Sequence, residues 1–562
     1  MAKKSDITLT VLGLEGVTPT GVTIHYAAGG IPTATVDLAP AGPNVIKIEG
    51  KPVGVLENVD ARKRKNDITI DITVDTFTGE IGKRKTSTLQ FTGLLDGLTI
   101  GNLVGGNTYQ AVLKHKAQGL LELTTLTPGL HPASINVYRI PMWGMTYDPD
   151  QSDNKAVRSW AAIQGGSDID FDRSPVEVYT DVMKWIISKQ ESGWREYLQY
   201  EKLASGDFPF SKIFDDPRYK KSLKSAKELF DSVDYSAVTK GSIKKCTAKK
   251  GLVMKALGNM FASGPTVLLE NYMNFLAQIG CTLIFSNTKI FVVPVNSVIN
   301  QEYTPPEKRK LQDKPNVAYP ADYNSYVYND TGYRDIGSVV VTTEGYTGGA
   351  YIGGLSYERG ATVHYTAPQE VSHASGVLVV HAHPFMMLSD TAPITDDTTE
   401  SRKEFDESDN SMMPDIEDLK YSSYVSDLTS MVGEGEKKKQ GVLKDYLTST
   451  LENYAQTKFY QERYHDRRGS ITMDFNTEWV PGTGGSLYIR ETEMFIAFYV
   501  TDVTHRIDMS PPSTGSAVTI VNFSCGRMGT KPVGVAKDEY LGYDLDKEQA
   551  IQKAFIEDTS LL

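Results

Sequence analysis

The segment Ile471–Cys525 restricts the fold of this chain more than any other part of its sequence. Three runs rich in β-branched and aromatic residues follow one another there: Ser486–Arg490, Met494–Ile507 and Ser516–Ser524. Runs of this kind, separated by short turns rich in proline and glycine, are typical of an antiparallel meander or a small barrel. The segment contains no obvious arrangement of catalytic side chains. It therefore favours a building block rather than a catalyst.

The N-terminal part of the chain, residues 7–145, shows the same preference for strands. Strict alternation of apolar and polar residues is clearest between Ile68 and Asp75, which read Ile-Thr-Ile-Asp-Ile-Thr-Val-Asp. Because successive side chains of a strand point to opposite faces, this alternation places one face in a core and the other in water. Several short strands at this spacing predict a small barrel or sandwich.

Length and charge limit the possible functions. A chain of 562 residues is too long for one ordinary core, so about three to five modules are expected. The formal net charge of −12 argues against a nucleic-acid-binding surface over the whole molecule, because phosphates attract basic faces. The charge is compatible with an acidic channel through which DNA slides.

The cysteines and the apolar runs predict where the chain is assembled. The chain has three cysteines that lie far apart in sequence: Cys246, Cys281 and Cys525. We therefore expect no disulfide framework, and we expect assembly in a reducing cytoplasm. The N-terminus has no long apolar region of the signal-peptide kind. No apolar run approaches the roughly 20 residues that span a bilayer, and we expect no membrane anchor.

The patterns along the chain predict an α+β fold dominated by β-structure. Two barrel-like antiparallel β modules, one N-terminal and one C-terminal, are expected, with an α-rich insertion and a small αβ unit between them. Ser174–Glu177 is a capping-box-like helix start in the insertion, and the αβ unit combines a helix over Leu268–Ile279 with a β-hairpin that turns at Ser286–Thr288. Asp396–Asp418 holds ten acidic residues against two basic ones, which predicts a solvated loop.

These patterns divide the chain into seven segments. They are an N-terminal barrel-like tube domain (1–148), the α-rich insertion (149–262), the small αβ unit (263–330), a β segment (331–388), the acidic loop or linker (389–440), a helix with the C-terminal barrel-like tube domain (441–530) and a C-terminal tail (531–562).

Two histidines carry the best candidate chemistry. His381 and His383 would share one face of a strand, which is a geometry that some metal sites use, and His364 and His373 lie nearby in sequence. No carboxylate or thiol is spaced to complete a set of ligands. The favoured interpretation is a pair of hydrogen-bonded strand histidines, and we predict neither a metal nor another cofactor.

The remaining motifs have structural interpretations. No Gly-x-Ser-x-Gly elbow occurs, and no pair of carboxylates sits in a plainly apolar setting. Nothing in the sequence points to a glycosidase, and we predict no catalytic residues and no enzymatic activity. Gly482–Ser486 resembles a phosphate-binding loop but lacks its Gly-Lys-Ser/Thr ending and precedes a strand, which favours a tight turn. Three basic clusters could contact nucleic acid or an acidic neighbouring subunit, although solvated loops are the favoured interpretation: Arg62–Lys65, Lys244–Lys250 and Lys437–Lys439.

Two parts of the sequence resemble the tail hub (baseplate hub) proteins of tailed bacteriophages. One is the C-terminal module, with its Val480-Pro481-Gly482 turn, its strand Phe498–His505 and a final strand that ends near Arg527. The other is Leu268–Val293, which is similar to the small αβ unit that hub proteins carry between their two barrels. That family is in turn similar to the N-terminal part of type VI secretion spike proteins.

The resemblance implies a mechanical role in the virion, at the phage tail tip. A hub is a homotrimer in which two barrel domains per chain form a ring of six similar domains around a channel. It acts as a symmetry adaptor that joins the sixfold tail tube to the threefold central spike. The implied partners are tail tube proteins, the spike, other baseplate proteins, and the tape-measure protein or the DNA that passes through the lumen during genome ejection.

Two other functions remain open at this point. One is a virion-associated cell-wall hydrolase with its site in the insertion, 149–262. The other is a receptor- or glycan-binding tail component that uses Tyr323, Tyr326 and Tyr328 as a platform. For this tyrosine run an ordinary strand is the favoured interpretation.

Overall fold

The structure is a computed structural model of the full chain, and it describes part of the sequence. The described residues are 5–14, 17–40, 47–48, 51–52, 67–77, 84–103, 106–118, 124–125, 168–170, 224, 228–236, 247–249, 266–278, 281–295, 317–330, 332, 334–342, 358–359, 362–366, 377–381, 388–389, 455, 458–509, 515–529 and 545–560.

Strands dominate the described residues. In chain order they are β1 (Ser5–Leu12), β2 (Val17–Ala27), β3 (Thr33–Pro40), β4 (Lys47–Ile48), β5 (Lys51–Pro52), β6 (Asp67–Phe77), β7 (Arg84–Leu103), β8 (Gly106–Lys114), β9 (Thr124–Thr125), β10 (Asp168–Asp170), β11 (Val233–Asp234), β12 (Thr247–Lys249), β13 (Thr266–Val267), β14 (Cys281–Phe285), β15 (Ile290–Pro294), β16 (Val317–Ala318), β17 (Tyr323–Asn329), β18 (Ser338–Thr342), β19 (Glu358–Arg359), β20 (Thr362–Thr366), β21 (Val377–His381), β22 (Leu388–Ser389), β23 (Arg468–Asp474), β24 (Gly484–Ile489), β25 (Met494–Asp508) and β26 (Ser516–Gly529). Among the described residues, helices with complete bounds are α1 (Leu268–Gln278) and α2 (Leu545–Thr559), and residues 228–231 and 458–463 are also helical.

Twelve of these strands form one large sheet, in which the strands of the central path follow the order β1-β6-β7-β8-β3-β2-β25-β26-β23-β17. The first six come from the N-terminal part of the chain, the next three from the C-terminal part, and the last, β17, from the middle of the chain. Strand β24 pairs with β25 and β16, and it widens the C-terminal half. The predicted β-dominated fold with an N-terminal and a C-terminal antiparallel β module is therefore confirmed.

The two halves of the sheet are joined by β2 and β25. Gly21–Ala27 pairs antiparallel with Asp502–Asp508, whereas the first part of β25, Met494–Tyr499, pairs with β24. One long strand thus serves both halves. The predicted modules stand side by side and share a continuous hydrogen-bonded ladder.

The sheet is curled but not closed among the described strands. Strand β1 lies beside β2 and β26, and it pairs with β6 alone in the described part of the sheet. Two hydrophobic cores pack against the side of the sheet opposite its polar side chains. Leu9, Ile70 and Phe91 belong to the N-terminal core, and Ile471, Phe498 and Phe523 belong to the C-terminal core.

The small αβ unit covers the N-terminal core together with α2. The predicted helix and hairpin are present: Leu269, Tyr272 and Leu276 form the buried stripe of α1, and β14 pairs antiparallel with β15. The C-terminal tail contains α2, and Phe555 of this helix packs in the same core as Phe291 of the hairpin.

Other segments differ from the predicted division or fall outside the described residues. Residues 317–329, which the sequence groups with the αβ unit, pair instead with C-terminal strands, because β16 joins β24 and β17 joins β23. Within 331–388, β18, β20 and β21 form a separate sheet. Most of the insertion 149–262, including Ser174–Glu177, and nearly all of the loop 389–440 lie outside the described residues.

Candidate functional site

Polar side chains line one face of the large sheet along most of the path from β1 to β23. In β6 the side chains of Ile68, Ile70 and Ile72 are buried, so the residues between them point to the opposite side. Residues paired across antiparallel strands point to the same side, and the register carries this pattern from strand to strand. We call this surface the polar face; its members include Thr8, Thr10, Asp71, Thr73, Thr88, Gln90, Gln110, Thr35, Asp37, Thr23, His25, Thr504, Arg506, Asn522, Ser470 and Thr472.

Cross-strand hydrogen bonds connect many of these side chains. The Nε2 of Gln90 donates to Oδ1 of Asp71 over 2.9 Å, and the Nε2 of Gln110 donates to Oδ1 of Asp37 over 3.0 Å. Such pairs stabilise the sheet by roughly 0.2–1 kcal/mol each. They also leave a face of hydroxyl, amide and carboxylate groups.

The polar face continues across the seam between β2 and β25. The Nε2 of His25 lies 3.5 Å from Oδ1 of Asp502, and the carboxylate also accepts hydrogen bonds from Asn522 and Thr501. Burial opposes ionisation of Asp502, but the hydrogen bonds from His25, Asn522 and Thr501 outweigh it and hold the pKa of this carboxyl below its ordinary value. The seam therefore carries a fixed negative charge.

Carboxylates outnumber cations on the polar face. The carboxylates are those of Asp6, Asp37, Asp67, Asp71, Asp75, Asp474, Asp502 and Asp508, whereas the cations are Lys114, Arg468 and Arg506. The Nζ of Lys114 is itself paired with Asp96 over 3.1 Å. A phosphate backbone in front of this face meets repulsion and hydroxyl groups, with few partners that could hold it.

The opposite face of the N-terminal half is fastened to the hairpin by Asn287. This side chain is buried; its Oδ1 accepts from the backbone N of Thr92 over 3.0 Å, and its Nδ2 donates to the backbone O of Gln90 over 2.8 Å. The pairing of β7 with β8 ends at Leu94 and Lys114, so the amide of Asn287 occupies the position of the next peptide group. One side chain thus extends the ladder of the sheet.

Asp558 of α2 completes this contact from the other side. Its carboxylate accepts hydrogen bonds from Ser286 Oγ, from the backbone N of Thr288 over 2.9 Å and from Thr288 Oγ1 over 2.6 Å. Its backbone O accepts from Nδ2 of Asn287 over 3.0 Å. We call Asn287, Ser286, Thr288 and Asp558 the hairpin lock. It joins strand β7, the hairpin turn and the C-terminal helix.

Two buried histidines stand behind the sheet. His115 accepts a hydrogen bond at Nδ1 from the backbone N of Ala117, over 3.1 Å, and its Nε2 lies 3.3 Å from the backbone O of Asn287. Burial lowers the pKa of His115 to about 4. Burial also lowers the pKa of His505 to about 3; this ring packs between Tyr26 and Phe475. Both rings are therefore neutral at pH 7.

The histidines considered as metal ligands are only partly described by the structure. The backbone of His381 pairs with Thr342 in β21, and that of His364 pairs with Val340 in β20, while His373 and His383 lie outside the described residues. Within the part of the chain that the structure describes, no group of three or more His, Cys, Asp or Glu is placed to hold a metal ion.

The glycine-rich stretch is a turn, as the sequence predicts. Gly482 has a φ of 82° and donates its backbone N–H to the O of Val500 over 2.8 Å, and β24 begins at Gly484. A glycine is suited to this left-handed conformation because it lacks a Cβ. The three basic clusters are outside the described residues except for Thr247–Lys249, whose backbone pairs with β10.

The tyrosine run is an ordinary strand in β17. Tyr323, Tyr326 and Tyr328 pack against the C-terminal core, and the hydroxyls of Tyr323 and Tyr328 donate to the backbone O of Tyr488 and of Gly526, each over 3.3 Å. These rings do not form the flat exposed platform that a glycan-binding interpretation of this run requires. The described helices include none that is both long and apolar enough to cross a membrane.

Sequence reasoning missed the polar face as a continuous surface and the hairpin lock. It identified Ser286–Thr288 only as a turn, because the partners Gln90 and Asp558 lie 197 and 271 residues away along the chain. The alternation in β6 was a usable signal for part of the polar face.

No protein-family model and no curated protein matches this chain. Solved structures do match. The tail protein from Neisseria meningitidis MC58 is 9% identical with a TM-score of 0.38, and the alignment covers 92% of this chain and 96% of that one. The prophage MuSo2 43 kDa tail protein from Shewanella oneidensis is 10% identical with a TM-score of 0.36, covering 92% and 98%.

A type VI secretion component is also among the similar structures. The E. coli c3393 protein is 6% identical with a TM-score of 0.32, and the alignment covers 95% of this chain and 80% of that one. The three structures named here are two phage or prophage tail proteins and a component of a type VI secretion system.

Proposed function

We propose that this chain is a structural hub of a phage tail, in which three copies form a ring around a channel lined by the polar face. The observation that carries the proposal is the pairing of β2 with β25, which places two β halves side by side with one continuous polar surface. Three such copies present six halves, and this number matches a sixfold tail tube on one side and a threefold spike on the other. Closed rotational symmetry is the usual result of repeated contacts between identical chains.

The chemistry of the polar face supports a passage rather than a binding site. Threonine hydroxyls and aspartates such as Asp37 and Asp71 offer no stacking surface for bases and no cationic partner for phosphates. DNA or a tape-measure protein can slide along such a wall. No catalytic residues belong to this proposal, and the hub acts mechanically.

The two ends of the sheet support the contact between copies. Strands β1 and β17 are the terminal strands of the sheet path, and neither contains lysine or proline, the residues that commonly protect exposed edges. Each carries an exposed apolar residue: Leu12 is 55% exposed and Val327 is 65% exposed. Edge strands of this kind are templates for pairing with another chain.

Native mass spectrometry tests the oligomer. We expect a species of three times the 62.0 kDa of one chain, and negative-stain images that show a ring with a central hole. Val327→Lys should reduce the trimer fraction, because a charge on an edge strand opposes pairing. Val377→Lys is the matched control, since Val377 is 61% exposed on the separate sheet of β18, β20 and β21. A monomer at all concentrations, or equal effects of the two variants, contradicts the proposal.

The channel is tested by reversing its charge. The double variant Asp37→Lys and Asp71→Lys should bind duplex DNA in a salt-dependent manner, whereas the unaltered trimer should not. Tight DNA binding by the unaltered trimer would argue against a passage. The alternative of a cell-wall hydrolase with its site in 149–262 predicts degradation of purified cell walls by the protein, and we expect none.

A further inference from the structure

Three aromatic rings interrupt the polar surface at one end of the C-terminal half. Tyr488 of β24 pairs with Phe495 of β25, and their ring centroids are 4.8 Å apart. Tyr319, which directly follows β16, lies 5.9 Å from the ring of Tyr488 and 6.4 Å from that of Phe495. We call Tyr319, Tyr488 and Phe495 the aromatic patch.

The aromatic patch faces away from the core. Leu487 and Ile489 on either side of Tyr488 are buried in the C-terminal core, so Tyr488 points to the opposite side of the sheet. Tyr319 is 46% exposed, and the rings of Tyr488 and Phe495 are partly exposed. Strands β24 and β25, together with the residue that follows β16, thus present apolar ring surface to solvent.

Exposed carboxylates lie on the segments that carry the aromatic patch. The Oδ2 of exposed Asp322 accepts from the backbone N of Tyr319 over 3.0 Å, which places this carboxylate beside the outermost ring. Glu491 and Glu493 are exposed in the turn between β24 and β25, together with Arg490. The segments that carry the rings thus hold three exposed carboxylates and one guanidinium, which gives these segments a net negative charge.

We propose that the aromatic patch is a docking site for a basic segment of another protein, one that presents arginine or lysine side chains. A guanidinium or ammonium group is attracted to the face of an aromatic ring, and the surrounding carboxylates pair with it. A sugar chain requires a flat platform, whereas Tyr319 is tilted by 48° to Tyr488 and by 85° to Phe495.

Calorimetric titration with a hexa-arginine peptide tests the site. Tyr319→Leu keeps an apolar side chain but removes the ring, and it should weaken binding about tenfold if the ring contacts the guanidinium. Tyr319→Phe keeps the ring and should bind like the unaltered protein. Both substitutions are at an exposed side chain, so both variants should fold. Equal binding by the unaltered protein and Tyr319→Leu overturns the proposal, as does equal weakening by Leu and Phe.

Separate experiments test the carboxylates and the alternative ligand, a glycan. Glu491→Gln should weaken hexa-arginine binding, whereas Glu557→Gln is the matched control, because Glu557 is an exposed glutamate on α2 that pairs with Lys553. Equal effects of these two substitutions overturn the proposal. Saturable binding of chitohexaose that is lost in Tyr319→Leu also overturns it in favour of a glycan. Whether Tyr319→Leu still forms a trimer is measured in a separate experiment. The test of peptide binding at the aromatic patch therefore stays independent of the test of the proposed hub.

Discussion

Replacement of Asn287 by alanine should destabilise the protein far more than its position in a surface turn suggests. The side chain makes three hydrogen bonds: it accepts from Thr92 N, and it donates to the backbone oxygens of Gln90 and of Asp558. A hydrogen bond of this kind contributes about 1 kcal/mol, and a buried group that loses its partner costs more. We therefore expect Asn287→Ala to lower the free energy of unfolding by about 3 kcal/mol.

The assay combines urea unfolding with hydrogen exchange. The midpoint of the urea transition should fall, and the amide of Thr92 should lose protection, because in the native protein its hydrogen is held by Asn287 Oδ1. Asn324→Ala is the matched control: this exposed asparagine makes one side-chain bond, to Asp474 over 3.0 Å. The control should cost less than about 1 kcal/mol. Equal effects of the two substitutions, or unchanged protection at Thr92, would refute the role assigned to Asn287.

Three further predictions concern the buried histidines behind the sheet and the neighbouring strands β24 and β25. Below pH about 6.5, unfolded chains bind protons at His115 and His505, whereas these two rings stay neutral in the folded protein. The free energy of unfolding should therefore fall as the pH is lowered, down to about pH 4 for the contribution of His115 and about pH 3 for that of His505. The melting temperature of the His115→Gln variant should decline less steeply over this range. Tyr499→Pro should abolish folding of the C-terminal half, seen as a loss of circular dichroism, because Tyr499 pairs with strands on both sides. Gly485→Val should lower the melting temperature, because a Cβ there would lie 2.7 Å from the ring of Phe498, whereas the exposed Thr492→Val should not.

Local patterns predicted the separate pieces of this fold. The alternation from Ile68 to Val74 specified β6 and the face that it buries, and apolar stripes with a glycine-rich boundary specified α1 and the hairpin of β14 and β15. These features depend on period and turn chemistry, which lie within about 15 residues of sequence. The turn at Gly482 followed from the same rules.

Contacts between distant parts of the chain could not be predicted in this way. The sequence of the strand Tyr323–Asn329 does not indicate that it pairs with Arg468–Asp474. Its position in the chain led us to assign it to the small αβ unit instead. The aromatic patch has the same origin, since Tyr319, Tyr488 and Phe495 meet only because β16, β24 and β25 are adjacent. Strand partners are chosen by the fit of whole surfaces, and that information is spread over the chain.

The amino-acid sequence by itself determined that this protein is built from strands whose two faces differ, one apolar and one rich in threonine and aspartate. Only the tertiary structure decided that both halves share one ladder, through β2 and β25, so that two polar strips become a single surface. The physical reason is that a strand must satisfy its backbone hydrogen bonds with some neighbour, but its own residues do not specify which one.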